Sequence, residues 1–177
     1  MNEIVLKIPT AEYAGQIMAY RREFLENNSE MDGTNGLRKC ESAEEWFVKV
    51  KQMSSPETCP KQHAVSTQYL AVRESDDKLV GMIDLRHHID HPALSMFGGH
   101  IGYSVLPSER RKGYAKEMLR QCLEKARERG LYWVMVSCGK GNLGSEKTIL
   151  ANGGVLQRET FVPEENETVK VFWIELK

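Results

Sequence analysis

Four consecutive residues at the start of the clearest predicted helix, Arg110-Arg111-Lys112-Gly113, could bind a negatively charged group. The first N–H groups of a helix have no acceptor within it and give that end a partial positive charge. Further positive side chains are unfavourable there unless an anion lies among them. Glycine lacks a Cβ, so a large anion can approach the N–H groups closely. The pattern indicates a phosphate or pyrophosphate site; a surface helix beginning beside incidental arginines is the alternative.

A second glycine-rich stretch, Gly139-Lys140-Gly141-Asn142-Leu143-Gly144, matches the G-x-G-x-x-G pattern of dinucleotide-binding turns. It follows an apolar strand and opens a short helix, and Glu159 stands where such domains place a ribose-binding carboxylate. Too little chain follows Gly144 for the repeated strand–helix units of a dinucleotide domain. The sequence therefore favours another use for this turn.

Three histidines raise the alternative of a zinc site, because His87, His88 and His91 lie close together in the sequence. Pro92 and the loop around it disfavour a rigid arrangement of three imidazoles. We therefore expect no metal.

The elements that must position these residues are four predicted helices and seven predicted strands. A first helix begins at Thr10, and Ser42 and Glu45 form a capping box that opens a second. Two later helices cover residues 113–130 and 145–152. The predicted strands cover residues 3–9, 67–73, 78–88, 100–107, 132–138, 155–162 and 168–176.

The segment from His100 to Cys138 reads as a strand, a helix and a second strand. Such a βαβ crossover predicts at least one parallel pair in the central sheet. The pair of strands from residue 67 to residue 88 reads instead as an antiparallel hairpin. The fold class predicted is therefore α/β with a mixed sheet.

Composition sets limits on both size and partners. The 177 residues, 41% of them hydrophobic, fit a single domain over residues 1–177. A net charge of -1, from 24 basic and 25 acidic residues, argues against a nucleic-acid or membrane-surface binder. The four cysteines lack C-x-x-C spacing, and we expect reduced thiols in a cytoplasmic protein.

Two motifs in register resemble those of a known family. The strand HIGYSVLP followed by the stretch from Arg110 to Ala115 resembles the acyl-CoA signature R/Q-x-x-G-x-G/A of the GNAT-superfamily N-acetyltransferases. The stretch from Asn142 to Ser145 is similar to the second family motif, N-x-x-A/S. The chain resembles in particular the bacterial branch with G-x-I-D-L-R-H and G-G-H-I-G-Y-S-V-x-P-S-E-R-R, here Gly81–His87 and Gly98–Arg111.

The resemblance implies a GNAT-type fold with a splayed, partly parallel central sheet. It implies direct transfer of an acetyl group from acetyl-CoA, as co-substrate, to a primary amine on a small molecule or peptide, without a metal. Transfer of another short acyl group and a non-catalytic acyl-CoA-binding module are the alternatives, and a homodimer stays open.

The resemblance also implies a coenzyme A site. The N–H groups from Arg111 to Ala115 would bind the pyrophosphate, and main-chain groups near Tyr103 and Val105 would pair with the pantetheine arm. The implied site consists of Tyr103, Val105, Arg110, Arg111, Lys112, Gly113, Tyr114, Ala115, Asn142 and Ser145.

The catalytic groups are less clearly defined. Many family members carry a tyrosine that protonates the departing thiolate, and this sequence has Ile149 there. Tyr103 and Tyr114 are the candidate substitutes. His100, whose ordinary pKa near 6.5 suits proton transfer, is the candidate general base, and a structural hydrogen bond is its alternative role.

A neighbouring strand carries Asp84, Arg86 and His87. We expect these side chains to bind the amine substrate, although a structural ion pair is the alternative.

Overall fold

The computed structural model describes residues 3–177, and its helices and strands follow the predicted order. The helices are α1 (Ala14–Glu26), α2 (Ala43–Met53), α3 (Tyr114–Glu128) and α4 (Leu143–Ala151). The strands are β1 (Ile4–Lys7), β2 (Ser66–Arg73), β3 (Lys78–Arg86), β4 (Ile101–Val105), β5 (Trp133–Gly139), β6 (Val155–Val162) and β7 (Glu167–Glu175).

The strands form two sheets rather than one. The first has the order β1-β2-β3-β4 and the second the order β5-β7-β6, and every ladder in both is antiparallel. The mixed α/β architecture agrees with the predicted fold class. The predicted parallel pair is wrong as a ladder among residues 3–177, because β4 and β5 separate directly after their first contact.

That contact lies just before β4 begins. The N–H of His100 donates to the carbonyl of Met135 at 2.8 Å. Beyond this point the two strands diverge, since β4 pairs only with β3 and β5 pairs only with β7. We call the resulting gap the β4–β5 wedge. It is the opening that the implied splay of the sheet requires.

Helix α3 packs its apolar face against the first sheet. Met118, Leu119, Cys122 and Ala126 are fully buried and recur at the helical spacing that predicted this element. The same core reaches β5 and β7 of the second sheet, so α3 helps to join the two sheets.

Helices α1 and α2 cover the other face of the first sheet. Tyr20 and Phe24 of α1 pack with Trp46 of α2 in a second core. The predicted cap of α2 is present, since the Ser42 hydroxyl accepts the N–H of Glu45 at 3.2 Å. No helix within residues 3–177 is both long enough and apolar enough to cross a membrane.

Candidate active site

The β4–β5 wedge opens into a cleft with a volume of about 1060 Å³. Strands β4 and β5 form its sides, the first turn of α3 forms one end, and the start of α4 borders it. Ten of the predicted site residues line it: Arg86, Tyr103, Val105, Arg110, Arg111, Gly113, Tyr114, Ala115, Asn142 and Ser145. The other four, Asp84, His87, His100 and Lys112, do not.

The start of α3 presents unpaired N–H groups to this cleft. The N–H groups of Arg111, Gly113 and Ala115 have no main-chain acceptor within residues 3–177. Gly113 has φ +85°, a left-handed conformation that favours glycine, and the space beyond its Cα is open. The geometry can hold an anion of phosphate size.

Glu109 anchors the turn that leads into α3. Its carboxylate is 4% exposed and contacts Lys78 at 2.6 Å, Lys112 at 2.7 Å and Arg73 at 2.9 Å. Burial alone would raise the pKa of this carboxyl, but the hydrogen bonds from the three cations outweigh it and lower the pKa to about 2. Glu109 is therefore ionised throughout the physiological range.

This anchor corrects one prediction. The Lys112 ammonium contacts Glu109 at 2.7 Å, and Lys112 is not among the residues that line the cleft. Arg110 lies on the cleft wall, where its guanidinium donates to the carbonyl of Val105 at 3.1 Å and to the hydroxyl of Ser29 at 2.8 Å.

The side walls of the wedge are formed by main-chain groups. Two main-chain hydrogen bonds flank the pairing of β3 with β4: the N–H of Arg86 donates to the carbonyl of His100, and the N–H of Leu106 donates to the carbonyl of Val80. They fix which residues of β4 direct their main-chain groups towards β3. Because an antiparallel ladder alternates, the N–H and C=O groups of Tyr103 and Val105 face the wedge instead. The same alternation on β5 directs the main chain of Ser137 into the wedge. An extended ligand can pair with such a surface as an added strand would.

Tyr103 and Ser145 meet across the cleft. The Tyr103 hydroxyl lies 2.6 Å from the Ser145 hydroxyl at the start of α4. Asn142 caps this helix by accepting the Ser145 N–H at 3.1 Å. Burial raises the pKa of Tyr103 above its ordinary value, although the Ser145 hydrogen bond opposes this. Tyr103 therefore keeps its proton at neutral pH.

Neither the family tyrosine position, Ile149, nor the second candidate, Tyr114, brings a hydroxyl to the wedge. Ile149 is fully buried on the inner face of α4 and does not line the cleft. The Tyr114 hydroxyl accepts a hydrogen bond from Arg73 at 3.1 Å, on the side of the Glu109 anchor. Of the two candidate tyrosines, Tyr103 alone has its hydroxyl at the wedge.

His100 does not have the geometry of a general base. Its imidazole is 6% exposed, and its Nδ1 accepts the N–H of Met135 at 3.0 Å. Burial, with smaller contributions from the Arg86 and His88 charges, lowers the pKa of His100 to about 4. The structure therefore supports the alternative role of His100, a structural hydrogen bond.

The three predicted substrate residues of β3 are not brought together in the cleft. Asp84 is 4% exposed and accepts from the Asn35 amide at 3.0 Å, and burial raises its pKa to about 6. His87 lies 2.8 Å from the Thr67 hydroxyl, and burial lowers its pKa to about 4. Arg86 reaches the cleft, where its guanidinium donates to the carbonyl of Gly99 at 3.0 Å.

Four carboxylates at the cleft were missed by the sequence analysis: Glu30, Asp32, Glu165 and Glu167. They come from two distant loops that meet at the wedge, and they form no ion pair among residues 3–177. We call them the acidic group. Each loop alone reads as an ordinary polar turn, so no signal within either segment predicts the group.

Mutual repulsion is evident in this group. Asp32 remains accessible to solvent, yet desolvation between the cleft walls and the charges of Glu30 and Glu167 raise its pKa. Desolvation and the charges of Glu167 and Asp32 likewise raise the pKa of Glu165. Gly33, next to Asp32, lies directly against Gly102 of β4. The acidic group can therefore receive a cation close to the wedge.

No group of three or more histidine, cysteine, aspartate or glutamate side chains in residues 3–177 is arranged to hold a metal ion. The imidazole of His87 is directed to Thr67 rather than towards a shared centre.

A wedge between two strands that opens onto a helix start can accommodate an extended ligand that carries a phosphate group. The sequence matches the family model of the acetyltransferase (GNAT) domain over residues 8–155. The chain therefore belongs to the GNAT acetyltransferases, and it is an N-acetyltransferase that uses acetyl-CoA as co-substrate. No curated protein sequence matches it.

Solved structures share the fold at low sequence identity. The ribosomal-protein-S5-alanine acetyltransferase of Vibrio fischeri has a TM-score of 0.74 and 16% identity, covering 100% of this chain and 95% of that chain. The microcin C7 self-immunity acetyltransferase MccE, in complex with acetyl-CoA and AMP, has a TM-score of 0.71 and 15% identity, covering 99% and 93%. A spermidine N-acetyltransferase SpeG chimera from Vibrio cholerae and hSSAT has a TM-score of 0.65 and 13% identity, covering 98% and 95%.

Proposed function

We propose that residues 1–177 form a single domain that acetylates a positively charged primary amine by direct attack on acetyl-CoA in a ternary complex. The observation that carries the proposal is the β4–β5 wedge, which joins the unpaired N–H groups of α3 to the acidic group in one cleft. We also propose that the chain belongs to the bacterial branch of the family with the motifs Gly81–His87 and Gly98–Arg111. The second motif supports this, because it spans the wedge contact, β4 and the turn before α3.

The α3 end of the cleft binds the pyrophosphate of coenzyme A in this proposal. The N–H groups from Arg111 to Ala115 donate to the phosphate oxygens, and Arg110 and Arg111 balance their charge. The pantetheine arm runs between β4 and β5 and pairs with the main chain of Tyr103 and Val105. Asn142 and Ser145 border the same path on the α4 side.

The chemistry is displacement at the thioester carbonyl. The amine nitrogen forms a bond to the carbonyl carbon, and the bond from that carbon to sulfur breaks. A main-chain N–H of β4 stabilises the oxygen while it carries negative charge. Tyr103 donates its proton to the departing sulfur, a role supported by its position opposite Ser145 and by its retained proton at neutral pH.

The acidic group selects the acceptor. A substrate amine is an ammonium at neutral pH and must lose a proton before it attacks. Asp32 lies beside β4 and has a raised pKa, so it accepts this proton more readily than an ordinary surface carboxylate. Glu30, Glu165 and Glu167 attract a second positive charge on the same acceptor, which favours diamines, polyamines and basic peptide N-termini over monoamines.

The test measures coenzyme A release from acetyl-CoA with a panel of acceptors: monoamines, diamines and polyamines, and peptides with basic or acidic N-termini. We expect turnover only with acceptors of at least two positive charges, and Asp32→Asn should lower kcat/KM for these at least about tenfold. The matched control is Glu159→Gln, a carboxylate outside the cleft that is paired with Lys140. Equal rates with monoamines and diamines would contradict this choice of acceptor. Preferential use of an acyl-CoA other than acetyl-CoA would favour the alternative donor.

We also propose a cytoplasmic location, supported by the four free cysteine thiols, Cys40, Cys59, Cys122 and Cys138. A homodimer stays a prediction that sedimentation of the purified protein can check.

A further inference from the structure

On the β4 side, the contact that ends the β4–β5 wedge is made by His100 alone. The N–H of His100 donates to the Met135 carbonyl at 2.8 Å, and the Met135 N–H donates back to the imidazole Nδ1 of His100 at 3.0 Å. In a strand ladder, a carbonyl would accept the second bond. Here a side chain replaces it, so the pairing is completed without a second β4 main-chain group.

The carbonyl of His100 is already used on the opposite side. It accepts the N–H of Arg86, which continues the pairing of β3 with β4. His100 therefore makes two bonds to Met135 of the second sheet and one to Arg86 of the first, and only the bond through its imidazole depends on the side-chain type. Since Nδ1 is an acceptor, the ring is neutral and carries its proton on Nε2.

Two neighbours hold this residue in place. Gly99 has φ +69°, and a Cβ there would lie 2.6 Å from the Met135 carbonyl oxygen, so a larger residue would push the strands apart. The Arg86 guanidinium donates to the carbonyls of Gly98 and Gly99 at 3.2 and 3.0 Å. The segment that precedes β4 is thus fixed from both sheets.

We propose that His100 is a positioning residue whose imidazole closes the vertex of the β4–β5 wedge and so sets the spacing of the main-chain groups that receive the pantetheine arm. This inference rests on the proposed path of coenzyme A. Without the imidazole bond, the Met135 N–H is buried and unpaired, and β5 is held to β4 by a single main-chain bond. The wedge then opens at its vertex. The main-chain groups of Tyr103 and Ser137 move too far apart to form hydrogen bonds with the same ligand.

The experiment compares His100→Asn with His100→Leu. The Asn side-chain oxygen can replace Nδ1 as acceptor, whereas Leu fills the space without accepting. We expect His100→Leu to raise the KM for acetyl-CoA at least about tenfold, the effect of losing roughly 1.4 kcal/mol, with a smaller change in kcat. His100→Asn should stay within about threefold of the wild type in both constants and keep its pH profile.

Val72→Ala is the control for lost stability alone, since Val72 is buried in β2 away from the wedge. It should lower the melting temperature without changing the KM for acetyl-CoA. The inference is overturned if His100→Leu leaves that KM unchanged. It is equally overturned if both His100 variants lose kcat alike at constant KM, which would make the imidazole a general base.

A spectroscopic measurement separates this inference from the proposed function. Nitrogen-15 NMR of the imidazole in the free protein should show a neutral ring protonated on Nε2 at pH 6. A ring that titrates near pH 6.5 would overturn the positioning role, whether or not the protein binds coenzyme A. Failure of the wild type to bind coenzyme A in calorimetry would instead contradict the proposed function.

Discussion

At the scale of single residues, the contact of Tyr103 with Ser145 is the most informative. Each residue was predicted from a separate motif, because each motif has a recognisable local pattern. Their partnership was not predictable, because the hydroxyls belong to β4 and α4, and only the tertiary fold brings them within 2.6 Å. The same limit applies to His100, whose residue type suggested a base and whose burial makes it a structural acceptor.

Tyr103→Phe tests the proton donor. The variant keeps the ring but cannot donate, so we expect kcat to fall about tenfold to a hundredfold with little change in the KM for acetyl-CoA. Ser145→Ala, which leaves the tyrosine hydroxyl in place, should have a smaller effect. Steady-state rates across pH supply a second check.

The raised pKa of Tyr103 fixes the direction of that pH dependence. The group stays protonated until the pH exceeds the ordinary tyrosine value of about 10. The wild-type rate should therefore not decline between about pH 8 and pH 9.5. A decline in this interval would assign the proton to another group.

At the scale of elements, α3 was predictable along its whole length, since its apolar positions repeat at helical spacing and Gly113 and Gly130 mark its ends. The divergence of β4 from β5 was expected from the family resemblance alone, and the pattern of residues in the two strands does not predict it. A crossover helix fixes the relative direction of two strands, and it does not fix the distance between them. That distance depends on which groups complete the first contact, and one of these is a side chain.

A pair of isosteric variants tests the start of α3. Asparagine and aspartate both tolerate the left-handed conformation at Gly113 better than other side chains do. We expect Gly113→Asn to weaken coenzyme A binding modestly and Gly113→Asp to abolish it in calorimetry, because only the aspartate places a negative charge beside the pyrophosphate. Equal affinities for the two variants would exclude a phosphate at this turn.

At the scale of the whole molecule, the acidic group shows what a linear sequence conceals. Glu30 and Asp32 follow α1, whereas Glu165 lies in the turn between β6 and β7 and Glu167 begins β7. Most of the chain separates them, and their meeting follows from the way the second sheet is placed against the first. The net charge of -1 gives no sign of this local excess.

The buried titratable groups predict loss of stability in acid. His87 and His100 have pKa values of about 4 in the fold, below the ordinary 6.5, so the unfolded chain binds more protons between these values. The free energy of unfolding should therefore fall as the pH drops from about 6.5 to about 4. Asp84, with its pKa raised to about 6, opposes this in part, because its folded form binds the extra proton.

Below about pH 4.5 Glu109 reduces stability further, because the unfolded chain binds a proton at this carboxyl while the folded protein, where its pKa is about 2, does not. His100 alone contributes on the order of 3 kcal/mol, at about 1.4 kcal/mol per pKa unit. Urea unfolding at pH 7 and pH 4.5 measures the difference, and His100→Asn should reduce it. A free energy of unfolding that is constant over this interval would refute the expectation.

The alternation along β4 has a consequence for solvent contact. The amides of Gly102 and Ser104 face β3 and are paired, whereas those of Tyr103 and Val105 face the wedge. In the free protein, amide deuterium uptake should therefore alternate residue by residue along this one strand, fast at Tyr103 and Val105 and slow at their neighbours. Coenzyme A should slow the exposed amides alone and so remove the alternation, and uniformly slow uptake in the free protein would mean that the wedge is closed in solution.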